Sequence, residues 1–299
     1  NEPIFVAGRL HIVRSLAQFI DEPSKFKYFS VQGVLSYHPF YDDFGPMSLS
    51  NITSFCSIVD THLNQNPEKL VALQSLPDRR SLSNSVFLMG CYMIMKLGMS
   101  PEEVESCFGS LQDSITSFRD ISVGKQNFDL FVKDCWEGLW KAKSLSWVDL
   151  QNEALDPDEH VQLGGSLNGG LHEIVPGKFI AMRGPKDIPS SKTWRDIHDA
   201  GGRFISREFS PSFYLDIFPM FKVQAVVRLN APEYDREAFA RAGLGFADLF
   251  FEDCTCPPAE VVAKFMTVAE AIPGAIAVHC RSGLGRTGTL IALDLMRTH

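Results

Sequence analysis

No stretch of the 299 residues is apolar for long enough to cross a bilayer: the longest run, Val86 to Met95, is broken by Gly90 and closed by Lys96, whereas a spanning helix needs about 20 such residues. A run of that kind predicts a buried helix, and no membrane partner is expected. A cysteine framework is also missing. The seven cysteines are odd in number and scattered over both halves, a usage that predicts reduced thiols in the cytoplasm or nucleus. In such a compartment the Asn51-Ile52-Thr53 sequon is inert. Cys254-Thr255-Cys256 lacks the two-residue gap and the second ligand pair of a structural zinc site, so two plain thiols are expected there, with neither a metal nor a cofactor. Nor is there an excess of positive charge. With 28 basic against 36 acidic residues the net charge is −8, which argues against a nucleic-acid carrier and suits an enzyme whose substrate has basic residues around the reacting group. Any anion-binding site must then create its own positive field. The chain starts at Asn1 without the charged, apolar and small-residue succession of a secretory leader, and is read as a fragment or a processed chain.

What is present suits folded lobes. Hydrophobic residues make up 45% and charged residues 21%, a globular composition, and the length gives a prior of roughly two domains. Short apolar runs at Pro3 to Ala7 and Lys69 to Leu73 predict strands, while Ser48 to Asn64, Ser83 to Lys96 and Asn127 to Lys143 carry apolar residues at helical spacing. Ser100-Pro101-Glu102-Glu103 opens a further helix, with serine capping and proline in the first turn. One lobe is expected over 1–145. From 146 to 175 the chain turns acidic and then glycine-rich, which reads as a linker. A second lobe over 176–299 has strand-like Lys178 to Met182, Val223 to Leu229, Phe246 to Phe251 and Ala275 to Val278. Helix-like Pro232 to Ala242 and Pro257 to Ile272 lie between them. Alternation of this kind predicts a largely parallel sheet covered by helices.

The decisive motif follows the last of those strands. Residues 279 to 288 read His-Cys-Arg-Ser-Gly-Leu-Gly-Arg-Thr-Gly, and a helix is predicted to begin near Arg286. A phosphate at that helix N-terminus meets free backbone N–H groups and the positive end of the helix dipole. Gly283, Gly285 and Gly288 let the loop curl so that successive amides point inward. Arg281, Ser282, Gly283, Leu284, Gly285 and Arg286 are therefore the expected phosphate-binding set. The same field should hold Cys280 as a thiolate, with a pKa somewhere in the range of roughly 3.5 to 7.5 found in electropositive sites. Arg286 offers a bidentate guanidinium to two phosphoryl oxygens. Thr287 can donate its hydroxyl to the departing sulfur, and His279 is expected to orient the loop by hydrogen bonds. Seven fixed positions in ten arise by chance with a frequency on the order of 10⁻⁹ per start site.

A leaving serine, threonine or tyrosine oxygen needs a proton, so a carboxylic acid should face Cys280 from a loop. Asp253 is the leading candidate because it follows a predicted strand and precedes Pro257-Pro258. Glu252 and Asp248 are its rivals, with Asp248 expected within the strand and in a structural hydrogen bond.

These residues, together with Ala225-Val226-Val227-Arg228-Leu229-Asn230, Asp248-Leu249-Phe250-Phe251-Glu252-Asp253, Pro176-Gly177-Lys178-Phe179, Gly184-Pro185, Phe40-Tyr41-Asp42-Asp43-Phe44-Gly45-Pro46 and Phe118-Arg119-Asp120, give the chain its likeness. It resembles, over nearly its whole length, the cell-division-cycle-fourteen phosphatases, the mitotic-exit members of the dual-specificity class. The resemblance implies an α/β fold of two tandem dual-specificity-phosphatase-like lobes, the first without catalysis. It further implies a hydrolase of the cell cycle and cell division that prefers phosphoserine followed by proline with a basic residue nearby, on substrates of proline-directed kinases, with cytoplasmic, nuclear or spindle association. The first lobe's corresponding loop, Gln74-Ser75-Leu76-Pro77-Asp78-Arg79-Arg80-Ser81, indeed has no cysteine and no glycine nest. Family members line the groove between lobes with acidic linker residues, which correspond here to Asp156, Asp158 and Glu159, with Pro157 a departure; a merely solvated acidic linker is the alternative. Leu284, also assigned to that groove, is apolar where tensin-like lipid phosphatases place a lysine, which favours a protein substrate. The chain ends at His299, soon after Cys280, whereas the class continues with further helices and a glutamine that positions the hydrolytic water; the chain is therefore read as incomplete. A phosphoprotein-binding protein without turnover and a phosphoinositide phosphatase remain as alternatives.

Overall fold

A computed structural model describes residues 3–14, 25–37, 43–120, 126, 128–149, 163–165, 167–189 and 192–299. The chain divides into two compact units, Asn1–Pro157 and Asp158–His299.

In the first unit the strands are β1 (Ile4–Ala7), β2 (Leu10–Arg14), β3 (Phe26–Phe29) and β4 (Leu70–Ser75), in the order β1-β2-β4-β3. β4 runs parallel to both neighbours, and β1 turns back antiparallel on β2. The helices are α1 (Leu49–Gln65), α2 (Arg79–Leu97), α3 (Pro101–Cys107) and α4 (Val132–Ser144). The apolar run Val86 to Met95 lies inside α2, which is buried all round from Leu82 to Met95 and so shows little amphipathic contrast. Ser100 caps α3 through a reciprocal pair: its hydroxyl accepts from the Glu103 N–H at 3.3 Å and Glu103 Oε2 accepts from the Ser100 N–H at 2.7 Å.

Gly90 has a packing reason to interrupt the run. A Cβ there would lie 2.2 Å from the Trp136 indole, which is itself fixed because its N–H donates to the Phe87 carbonyl at 3.0 Å. Gly90→Ala is therefore expected to destabilise the first unit by about 1–3 kcal/mol through overpacking, read as a lower melting temperature; an unchanged melt would mean that α4 can move aside freely.

The second unit is built on a five-stranded sheet ordered β10-β9-β11-β6-β5, from β5 (Leu171–Val175), β6 (Phe179–Met182), β9 (Val223–Arg228), β10 (Gly245–Asp248) and β11 (Ala275–His279). All neighbours are parallel except β5, an antiparallel edge on β6. A separate hairpin joins β7 (Trp194–His198) to β8 (Phe204–Phe209), and the helices are α5 (Pro211–Ile217), α6 (Glu237–Ala240), α7 (Ala259–Ala271) and α8 (Gly285–Thr298). The largely parallel α/β architecture thus holds in both units. The expected linker reached to 175, but its end is strand: Leu171 buries its side chain in the core and β5 pairs along β6. Asp156, Asp158 and Glu159 lie outside the described residues, as do Phe40, Tyr41 and Asp42 of the first-lobe motif.

Two apolar layers cover the sheet. One contains Ile276, Val278 and Cys280 with Phe265 of α7 and Leu290 and Ile291 of α8. The other contains Ala275 and Ala277 with Tyr214 of α5 and Phe239 of α6. The two-residue period of a strand therefore sends Cys280 and His279 at the end of β11 toward opposite faces. Among the described residues no helix is long and apolar enough to cross a membrane.

Candidate active site

The loop 280–284 bridges β11 and α8 and is locked against the end of β6 by two glycines. Gly283 has φ +79°, and a Cβ on it would fall 2.3 Å from the Met182 carbonyl oxygen; one on Gly184 would fall 2.3 Å from that of Cys280. Neither contact tolerates a side chain. The Gly184 N–H donates to the Arg281 carbonyl at 3.2 Å, and the Leu229 N–H donates to that of His279 at 2.9 Å.

Cys280 sits at the base of this loop, only 2% exposed. Burial alone would push its thiol up, but the Thr287 hydroxyl, the backbone N–H groups of Thr287 and Gly283 and the Arg286 charge outweigh it and hold the pKa below the ordinary thiol value. The Thr287 hydroxyl is buried with no oxygen or nitrogen partner. Arg281, Ser282 and Leu284 present exposed side chains on the rim, and Gly285 begins α8.

Arg286 is buried and held by one nitrogen. Its Nη1 donates to the Phe251 carbonyl at 3.0 Å and reaches that of Leu229 at 3.5 Å. Its Nη2 lies 3.2 Å from Asp253 Oδ2, and its Nε is buried without a partner. The Nε–Nη2 edge, which grips an oxyanion in a bidentate fashion, therefore carries an unused donor. Asp253 itself is exposed, on the loop after β10. Of its rivals, Asp248 is taken by Arg228 in a bidentate pair at 2.6 and 3.0 Å, and Glu252 is exposed. The structure thus brings Cys280, Gly283, Arg286, Thr287 and Asp253 together.

His279 lies beneath the loop, fully buried. Its Nδ1 is 3.1 Å from the Cys280 carbonyl and its Nε2 2.7 Å from the Tyr234 hydroxyl. The sequence offered no sign of Tyr234, which lies in a stretch read as helix. Burial pulls the His279 pKa down to about 4. Between the unfolded value near 6.5 and about 4, the unfolded chain takes up a proton that the folded unit refuses. Stability is full above that window and falls through it, by on the order of 3 kcal/mol in total. Acid titration of urea midpoints checks this: His279→Asn should remove that share of the acid sensitivity, and an unaltered pH profile would refute the assignment.

In the first unit the matching junction is closed. β4 passes through 76–78 into α2, and the Asp78 carboxylate occupies the helix N-terminus, accepting from the Ser81 N–H at 2.9 Å.

The family described as "Dual specificity protein phosphatase, N-terminal half" matches residues 4–142, and that described as "Polymorphic toxin system, DSP-PTPase phosphatase" matches 218–299. Dual specificity protein phosphatase CDC14C of Homo sapiens is 34% identical over 92% of this chain and 59% of its own length. CDC14A of the same organism is 34% identical over 90% of this chain and 44% of its own. The tyrosine-protein phosphatase CDC14 homolog of Schizosaccharomyces pombe is 31% identical over 91% of this chain and 50% of its own. The chain spans about half the length of the curated relatives it matches.

Proposed function

Because the chain belongs to the CDC14 family of dual-specificity protein phosphatases, we propose that it hydrolyses phosphoserine, phosphothreonine and phosphotyrosine in proteins through a phosphocysteine at Cys280. The observation that carries this is the buried, unpartnered Nε of Arg286, a donor left for an oxyanion on a guanidinium whose charge also helps to lower the Cys280 pKa. The Cys280 thiolate attacks phosphorus as the P–O bond to the substrate breaks. Asp253 gives its proton to the leaving oxygen, then accepts one from the water that cleaves the S–P bond. Thr287 donates to the sulfur as it leaves, and the loop amides with Arg286 hold the three equatorial oxygens throughout.

The first unit takes no part in the chemistry, since its own carboxylate fills the place of the anion, and serves to shape substrate binding. Phosphoserine-proline with a following basic residue is the favoured sequence, read against Asp156, Asp158 and Glu159. Such substrates are products of proline-directed kinases, in the cytoplasm or nucleus of a dividing cell. The family likeness and the chain's acidic balance support this preference. The test compares initial rates on a phosphoserine-proline peptide, a phosphotyrosine peptide and a soluble phosphoinositide. Hydrolysis of both peptides with the lipid headgroup spared is expected. Binding of the peptides without phosphate release, or preference for the phosphoinositide, would overturn the reading.

A further inference from the structure

We propose that Lys186 is a positioning residue for the Cys280 loop, its ammonium clamping the segment after β6 so that the loop's amides keep their inward direction. The inference rests on the reading of residues 280–286 as the phosphate site. A trans peptide is planar, with its carbonyl and its N–H pointing opposite ways. The Arg281 carbonyl accepts from the Gly184 N–H at 3.2 Å, so the Ser282 N–H in the same plane is sent away from Gly184. The Cys280 carbonyl faces Gly184 too, since a Cβ there would fall 2.3 Å from its oxygen. Where the chain leaving β6 is held therefore sets the direction of the loop's first anion donors.

Pro185 has no N–H to give, so the next hold on that chain is at Lys186. Its N–H donates to the Phe209 carbonyl at 2.8 Å, and its Nζ lies 3.3 Å from Glu208 Oε1 and 3.1 Å from Glu233 Oε1. Glu208 belongs to β8 and Glu233 to the stretch after β9, so one ammonium ties three segments together. The far ends are fixed in turn. Arg195 pairs with Glu208 at 2.7 Å across the hairpin, and the Glu233 carbonyl accepts from the Asp187 N–H at 2.9 Å. Burial alone would push the Glu208 carboxyl up, but Arg195 and Lys186 outweigh it and hold its pKa below the ordinary value. With two carboxylates on it, the ammonium serves geometry and adds no net positive field at the loop. Without it, two carboxylates that both reach for Nζ would face each other across a half-buried gap and push the segment aside.

Tungstate, a tetrahedral oxyanion that needs no turnover, is the probe, and calorimetry gives its dissociation constant at a temperature where each variant is folded. Lys186→Met should weaken tungstate about tenfold, the worth of one misdirected hydrogen bond to an anion, while Lys186→Arg, which still spans both carboxylates, should stay within about twofold of the wild type. A wild-type dissociation constant in the methionine variant overturns the proposal even if its melting temperature falls, because a merely structural lysine moves only the melt. Equal weakening in the arginine variant overturns the charged bridge. Should the methionine variant fail to fold, Glu233→Gln decides in its place, since it unhooks one end of the clamp and strands no charge: binding roughly threefold weaker is expected, and unchanged binding refutes the clamp. A wild type that does not bind tungstate would overturn the phosphate site together with this role for Lys186, whereas wild-type binding by the variants overturns the role alone.

Discussion

Cys280→Ser is expected to lower phosphate release by a factor on the order of 10⁴ or more while phosphopeptides still bind. The field that depresses the thiol, from the Thr287 hydroxyl, two backbone amides and Arg286, acts on a group whose ordinary pKa is about 8.5. A hydroxyl starts so much higher that the same field leaves it protonated at neutral pH. Binding draws on other groups: the amides of a loop pinned by Gly283 and Gly184, and the Arg286 guanidinium, whose Nε has no partner. With the thiolate gone, one negative charge next to the incoming phosphate also disappears, so affinity should be retained or improved. Anisotropy of a labelled phosphoserine-proline peptide measures binding, and a phosphate-release assay measures turnover. Undiminished release by the serine variant would remove Cys280 from the chemistry.

Arg286→Lys should reduce kcat by roughly 10² to 10³, the usual cost of removing a preorganised transition-state donor, although the charge is conserved. The guanidinium divides its labour: Nη1 is tied to the Phe251 carbonyl, Nη2 meets the exposed Asp253 carboxylate, and the unpartnered Nε with Nη2 forms the edge offered to phosphate. A lysine ammonium has one nitrogen for both tasks. It either satisfies the buried carbonyl or reaches the phosphoryl oxygens as a point charge. It would also meet Asp253 differently, since that carboxylate is paired to Nη2 at 3.2 Å. The loss should appear mainly in kcat, because ground-state phosphate is still held by the loop amides. Wild-type kinetics, or a change confined to KM, would refute the division of roles.

Most of the framework was legible because it is written in short-range pattern. The strands expected at Pro3 to Ala7, Lys69 to Leu73, Lys178 to Met182, Val223 to Leu229 and Ala275 to Val278 all exist within a residue or two; the last four have parallel partners and read as apolar runs, while the first is the antiparallel edge β1. Others hid. β2, Leu10–Arg14, carries a histidine amid its apolar residues, and β3 is Phe-Lys-Tyr-Phe. The β7–β8 hairpin leaves Trp194, Phe204 and Ile205 exposed and has no clean inside face to announce it. The helix read at Pro232 to Ala242 shrinks to Glu237–Ala240, because its first part turns to bring Tyr234 under His279. The strand read from Phe246 to Phe251 ends at Asp248, where the chain leaves toward Asp253.

At the site, what depends on neighbours in sequence was readable: the cysteine, the glycines, the arginine and the threonine lie within one turn of chain. Asp253 was inferred from a strand end and a proline pair, and the structure sets its carboxylate against Arg286. What depends on the meeting of distant segments was legible only in part: Asp248 was expected in a structural hydrogen bond and makes one, but its partner was not readable. Nothing in the sequence tells that Arg228 would occupy Asp248 or that Phe251 would offer its carbonyl to Arg286.

The Asp78 cap has a historical reading. A thiol gained by a single substitution between β4 and α2 would not give the first unit the anion site proposed for the second. The connecting stretch is 76–78 there against 280–284 in the other unit, so a nest of inward amides would need inserted residues and glycines as well. Even then the resident carboxylate would repel the incoming dianion until it, too, was replaced, and replacing it first would leave α2 uncapped, at a cost of about 1 kcal/mol. Each partial step is unrewarded by activity. If the proposed function holds, such a lobe has little prospect of acquiring the chemistry, which gives a physical reason for the proposed division of labour to persist once it has arisen.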